Sequence, residues 1–253
     1  MSEAGANDLP ALGVRPVLVA ALGTYRRRFG MIAGAALVVF GISASVDVLT
    51  DALADQAGDK PGLVAVVLMV AGLAIFGTEF FAGLMDRVVG EEERGHPRQP
   101  LSQILRTLPY GRLIAVDLLL VLGTVVFSFA LLVPGIAFFT FYSLVGPAVV
   151  MEDRKVFSAF RRSARLVRGH FWLTFLLVTL PIMFEENVVH GIVEAFDSLG
   201  LLAVFVVNAL AGAAVGSIVA VVEVTLAHRL AIRKPDPALT SSHAGHVPAS
   251  GAE

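Results

Sequence analysis

Six long apolar runs alternate with short polar segments along this chain, and the polar segments carry nearly all of its charge. The runs are Phe29–Leu49, Leu63–Met85, Leu113–Val133, Ile136–Met151, Phe171–Phe184 and Leu199–Ala227. A bilayer core of about 30 Å takes roughly 20 apolar residues of helix. Helices are the expected form, because every backbone polar group must find its partner inside the segment. Four runs reach that length, whereas the fourth and fifth are short, roughly 21–24 Å by helical rise.

The charges decide whether the two short runs cross. Between them lies MEDRKVFSAFRRSARLVRGH, with Arg154, Lys155, Arg161, Arg162, Arg165 and Arg168. With all six runs crossing, eighteen of the nineteen Lys and Arg residues fall on one side of the membrane. Only Lys60 lies opposite, beside Asp51, Asp55 and Asp59. Cationic residues are retained on the cytoplasmic side. The pattern therefore predicts an all-α integral membrane protein with six spans and both termini cytoplasmic. Residues 1–13 are expected to be a flexible start without a cleavable signal, 14–230 the membrane domain, and 231–253 a disordered tail poor in large apolar residues.

Three cytoplasmic segments share a plan of amphipathic stretch, basic or polar break, then span: VLVAALGTYRRRFGMIAGAAL, PLSQILRTLPYGRLIAVDLLL and VFSAFRRSARLVRGHFWLTFLLV. In the second, Leu101, Ile104, Leu105 and Leu108 form the apolar stripe. In the third, Val156, Phe157, Phe160, Ala164 and Val167 fall on one side at helical spacing, with Arg154, Arg161, Arg165 and Arg168 flanking the other. Each reads as an interfacial helix in the headgroup region. The chain thus reads as three repeats of interfacial helix plus two-span hairpin. Arg26, Arg27, Arg28, Arg154, Arg161, Arg162, Arg165 and Arg168 are the candidate headgroup-binding residues.

Composition narrows the function without naming it. At 253 residues, 56% hydrophobic and 16% charged, with mean hydropathy +0.79, the chain has far less charge than the roughly 25% of a soluble domain. No length is left for a separate catalytic module. The absence of cysteine excludes disulfides, thiolate metal sites and cysteine nucleophiles. No HExxH, GxSxG, Walker loop or dinucleotide fingerprint is present. The expectation is a non-enzyme with no cofactor and no metal.

The stretch LVGPAVVMEDRKVFSAFRRSARLVRGHFWLTFLLV resembles the membrane domain of the bacterial glycerophosphoryl diester phosphodiesterase family and related six-span proteins. Pro147, Glu152, Ala159, Arg162, Ser163, Leu166, Gly169 and Trp172 carry the likeness, as do Pro134-Gly135 and the link FAGLMDRVVGEEERGHPRQPLSQIL. The likeness covers most of residues 15–230 and is topological. It implies a multi-pass protein of a bacterial cytoplasmic membrane. Some members carry a fused soluble phosphodiesterase domain; this chain has none, so that activity is not carried over.

Four carboxylates lie near the cytoplasmic ends of spans: Glu79, Asp117, Glu152 and Glu223. They either pair with the arginines and pin the interfacial helices, or supply a cation or proton coupling site in a small transporter. On the outer side Glu186, His190 and Glu194 stand at i, i+4, i+8, where a metal site and a solvated helix face look alike. Asn208 is the deepest strongly polar residue and suits an interhelical hydrogen bond. Anionic lipid is the nearest partner for the arginine blocks, at about 1 kcal/mol per surface cation, with a protein partner or a second copy also admissible and nucleic acid not expected. The leading expectation is a protein of membrane or envelope organisation, or a membrane partner of another protein. The transporter is the alternative.

Overall fold

The computed structural model of the chain describes residues 10–57, 63, 66, 81–95, 99–195 and 200–236. Among these every regular element is helical: α1 (Val14–Arg27), α2 (Phe29–Ala57), α3 (81–93), α4 (Leu101–Thr107), α5 (Tyr110–Ala130), α6 (Leu132–Tyr142), α7 (Val145–Glu152), α8 (Val156–Val167), α9 (Phe171–Thr174), a π-helical turn at Phe175–Thr179, α10 (Leu180–Ala195) and α11 (Leu201–Arg233). Four helical stretches are long and apolar enough to cross a membrane: Phe29–Val46, Tyr110–Phe129, Leu132–Glu152 and Leu202–Arg233. The pair Val156–Val167 and Phe171–Glu185, bent through 104°, brings the number to five if it is counted as one span. Most of the second expected span, with Glu79, lies outside the described residues, as do the side chains of Glu186, His190 and Glu194.

α11 is the spine. Its 33 residues make a rod of about 50 Å, against which α1, α2 and α10 pack along most of their contact length, with α7 and α8 touching it as well. Val17, Ile32, Leu84, Met85, Leu166, Leu226 and Leu230 close the main core around it. Gly216 lets Phe40 approach, since a methyl there would stand 2.4 Å from the Phe40 Cζ. By contrast only 11% of the Tyr110–Phe129 window is buried. Leu118, Leu122, Val126 and Phe129 of α5 point away from the protein, the pattern of a lipid-facing helix.

Local chemistry sets the breaks, and two differ from expectation. Pro109 bars the preceding residue from helix, and Leu108 is extended (φ −67, ψ 133), separating α4 from α5. The turn between α5 and α6 falls at Leu131 (φ −168, ψ 141), not at Pro134-Gly135. Pro134 instead occupies the first turn of α6, where its missing N–H costs no hydrogen bond. The fourth crossing stretch is consequently 21 residues and not short. Pro181 was expected near the end of a short fifth span, yet the helix continues through it to Ala195. Its ring crowds the Leu177 carbonyl one turn back, and the widened π turn spans that carbonyl and opens room for it.

α6, α7 and α8 are knitted at one end by Ser163, which is fully buried. Its hydroxyl donates to the Phe141 carbonyl at 2.9 Å and accepts the Leu144 N–H at 3.2 Å. Those two backbone groups belong to the turn between α6 and α7, where helical partners run out. Asp153, the non-glycine residue with positive φ (+50) among the described residues, then reverses the backbone into α8. Aspartate tolerates this left-handed conformation better than most residues.

Candidate ionic site at the C-terminal end of the bundle

Glu152 ends α7, and the tight turn at Asp153 brings α8 back across it. Arg162, one and a half turns into α8, is 1% exposed and forks onto Glu152. Its Nε donates at 2.9 Å to Oε1 and 3.0 Å to Oε2, and its Nη2 at 2.8 Å to Oε1. The remaining N–H direction is used too, with Nη1 donating 2.7 Å to the Lys234 carbonyl. Arg154 completes the set by donating to Glu152 Oε2 and to Asp236. Burial works against the Arg154 charge, and the hydrogen bonds and charges of Glu152 and Asp236 outweigh it, so its pKa is raised.

The first residues after α11 lock this arrangement. Lys234 donates from Nζ to the Arg165 carbonyl at 3.0 Å, the Leu166 carbonyl at 3.1 Å and the Arg168 carbonyl. These are the orphan acceptors of the last turn of α8, where a cation also meets the negative end of the helix dipole. Burial, then Arg162 and Arg168, lower the Lys234 pKa. Asp236 is 7% exposed and also lies 3.6 Å from Arg165. The tail was expected to be disordered from residue 231. Through residue 236 it is instead a strap tied to α8, and 237–253 lie outside the described residues.

The candidate arginines therefore divide. Arg162 and Arg154 are not headgroup ligands, because their guanidinium groups are turned inward onto Glu152. Arg28 is likewise held, 2.8 Å from Glu92 and 9% exposed, while Arg27 meets the other oxygen of Glu92 at 2.9 Å and is 55% exposed. Arg26, Arg161, Arg165 and Arg168 are exposed. The inward face of α8 is Ala159, Arg162, Ser163 and Leu166. Phe157, expected on the apolar packing side, is 75% exposed. An arginine can take the buried side only because a carboxylate from another helix is already there.

Of the four carboxylates, Glu79 lies outside the described residues, and the other three do not form one site. Glu152 meets four N–H···O contacts from three donors, the Arg162 Nε–H being shared between its two oxygens. Asp117 of α5 and Glu223 of α11 come within electrostatic reach of each other, apart from the Glu152 cluster. Asn208 has an interaction partner. Among the described residues no group of three metal-ligating side chains is found.

A cavity of about 230 Å³ lies beside the cluster, between the end of α3, α7, α8 and α11. Glu152, Met151, Leu166, His228, Ile232 and Arg94 contribute to its wall. Lys234 and Asp236 were missed by sequence reasoning, since neither stands in an apolar run or a motif. Arg94 and His228 were missed for the same reason.

Two groups at this end tie stability to pH. The Arg28 hydrogen bond, with Arg27 assisting and burial opposing, holds the Glu92 carboxyl below its ordinary 4.5. Burial, then Lys234 and Arg233, holds His170 below 6.5. Both folded values lie below the unfolded ones, so the unfolded chain binds protons first and acid favours it. The His170 contribution to the thermal midpoint is expected to be lost as pH drops below 6.5, and the Glu92 contribution as it drops below 4.5. His170→Gln should remove the first loss and Glu92→Gln the second; coincident curves for all three proteins contradict this. No protein family, curated protein or solved structure matches the chain.

Proposed function

We propose that the protein is a non-enzymatic component of a bacterial cytoplasmic membrane that grips anionic headgroups at the inner leaflet through α8, in support of membrane organisation or of a protein partner. The observation that carries this reading is one exposed stripe. Phe157, Arg161, Arg165 and Arg168 follow each other at i, i+4, i+8, i+11 along the outer face of α8 and its C-cap, and Trp172, 76% exposed, stands in α9 just past the bend. Apolar rings at both ends with guanidinium groups between them suit a helix lying in the interface. The 104° bend into the following stretch sets α8 nearly flat when that stretch crosses the bilayer.

The topology belongs to the same proposal. Six spans and cytoplasmic termini place α1, α4 and α8 on one leaflet, together with the C-terminal turns of α11, whose length exceeds the hydrocarbon core by about 20 Å. The pairing of Glu152 with Arg154 and Arg162 counts against a four-carboxylate coupling site in a transporter. The resemblance to the phosphodiesterase membrane domains agrees with this reading and adds no reaction.

The joint substitution Arg161→Gln, Arg165→Gln and Arg168→Gln tests it. With the fold intact, as these side chains are outward, retention of phosphatidylglycerol over phosphatidylcholine by the purified protein should fall by about 1 kcal/mol per cation removed. Unchanged lipid preference overturns the reading.

A further inference from the structure

The cavity beside Glu152 presents one guanidinium, that of Arg94, that no carboxylate pairs among the described residues. Of its lining residues only Arg94 and Ile232 are exposed, which puts the mouth between them. Pro147, Ala148, Leu166 and Ala227 form a buried apolar floor. The one carboxylate in the wall, Glu152, is already matched by two arginines. What is left facing the space is Arg94 and His228, whose imidazole lies near Arg94 and Arg229 and is also hydrogen-bonded to the Glu93 backbone.

Arg94 makes no ion pair and no guanidinium hydrogen bond among the described residues. Its Nη2 lies 3.3 Å from where a methyl on Gly90 would stand, beside the Met151 side chain. Burial, then the neighbouring Arg87, lower its pKa against the opposing charges of Glu91 and Glu152. Close by, Arg87 is paired through its Nε with Glu91 at 3.2 Å, while the Arg229 Nε is buried without a hydrogen-bond acceptor. Buried donors of this kind are normally satisfied, and cations gathered with surplus N–H groups are the usual setting for a phosphate. The volume is below the roughly 300–1,000 Å³ of clefts that enclose a whole drug-sized ligand. It suits a phosphate together with the first atoms attached to it.

We infer that this cavity is a binding site for the phosphate of an amphiphile, with Arg94 and His228 holding the phosphate oxygens and the adjoining apolar atoms lying along Met151, Leu166 and Ile232. It deepens the lipid-binding reading above, on which the choice of an amphiphile rests, but uses residues that the α8 stripe does not. The ligand is either a membrane lipid or a free phosphate compound. Both present the same oxygens.

The test uses the full-length protein in detergent, with native mass spectrometry to count bound molecules as phosphatidylglycerol is added. A first lipid should bind ahead of the rest, and diacylglycerol, which lacks the phosphate, should not compete with it. R94Q/H228Q and, separately, A231F, which fills the cavity, should each weaken that first site by about tenfold or more. R94Q/H228Q alters two side chains that are not in the core, so it decides the matter if A231F fails to fold. Displacement of the lipid by inorganic phosphate assigns the site to free phosphate, and its persistence assigns it to lipid. In the variant lacking Arg161, Arg165 and Arg168 side-chain charge the first site should survive. A stripe variant that changes nothing while R94Q/H228Q loses one lipid would sink the α8 reading alone. First-site affinity unchanged in R94Q/H228Q, or equal binding of diacylglycerol, overturns the cavity.

Discussion

Arg162→Met is expected to be the most damaging single substitution in the chain, at about 3–5 kcal/mol. The side chain is of similar length, so the loss is not one of volume. It strips Glu152, 13% exposed, of three of its four contacts and leaves the Lys234 carbonyl without its donor. A carboxylate in that position keeps its desolvation cost and loses the attraction that offset it. Glu152→Gln on the Arg162→Met background should recover part of the loss, because a neutral amide is cheaper to leave half-paired. The measurement is the denaturation midpoint of wild type, both single variants and the double in one detergent. Additive losses from Glu152→Gln and Arg162→Met would show that the two residues do not act as a pair.

Gly135→Ala is expected to cost about 1–3 kcal/mol by overpacking. A methyl at Gly135 would stand 2.0 Å from Ser128 Oγ, which can rotate away, and also 3.0 Å from the Ser128 Cα, which cannot. α5 and α6 must therefore separate. The stack of Phe127 on Phe138, with centroids 4.8 Å apart, is the contact that would open with them. Ser128→Gly added to Gly135→Ala should restore much of the stability by removing the Oγ and Cβ, and thermal unfolding of the two variants checks it. An unchanged midpoint for Gly135→Ala would mean that the two helices have room to spare.

Apolar periodicity gave the helical stretches on either side of the α8 bend, the break at Arg28 and the short helix before Pro109. It did not give their faces. In a chain of this kind both lipid and core accept leucine, so Leu118 and Leu122 outside look no different from Leu113 and Val116 inside. The arginines read as a single cationic block because their partners are distant in sequence or lie across a turn: Glu92 for Arg28, Asp236 for Arg154. Only the fold brings those acids in. Arg162 and Arg161 are adjacent letters with opposite fates, one turned onto Glu152 and the other outward. The π turn at Phe175–Thr179 and the continuation through Pro181 were equally hidden, since proline signals a stop unless a neighbouring turn can widen. The Glu152 pairing with Arg162 was among the alternatives the sequence offered; that Lys234 would cap the helix carrying Arg162 was not.

The strap formed by Lys234 and Asp236 also orders events during biosynthesis. α8 leaves the ribosome 66 to 72 residues before the amine and carbonyl that finish it, and a chain emerges N-terminus first. Until α11 has been inserted, the helix bearing Arg162 holds a bare C-terminal turn and a half-neutralised Arg154. Its final seating thus comes well after its own synthesis, contingent on a segment made 66 to 72 residues later.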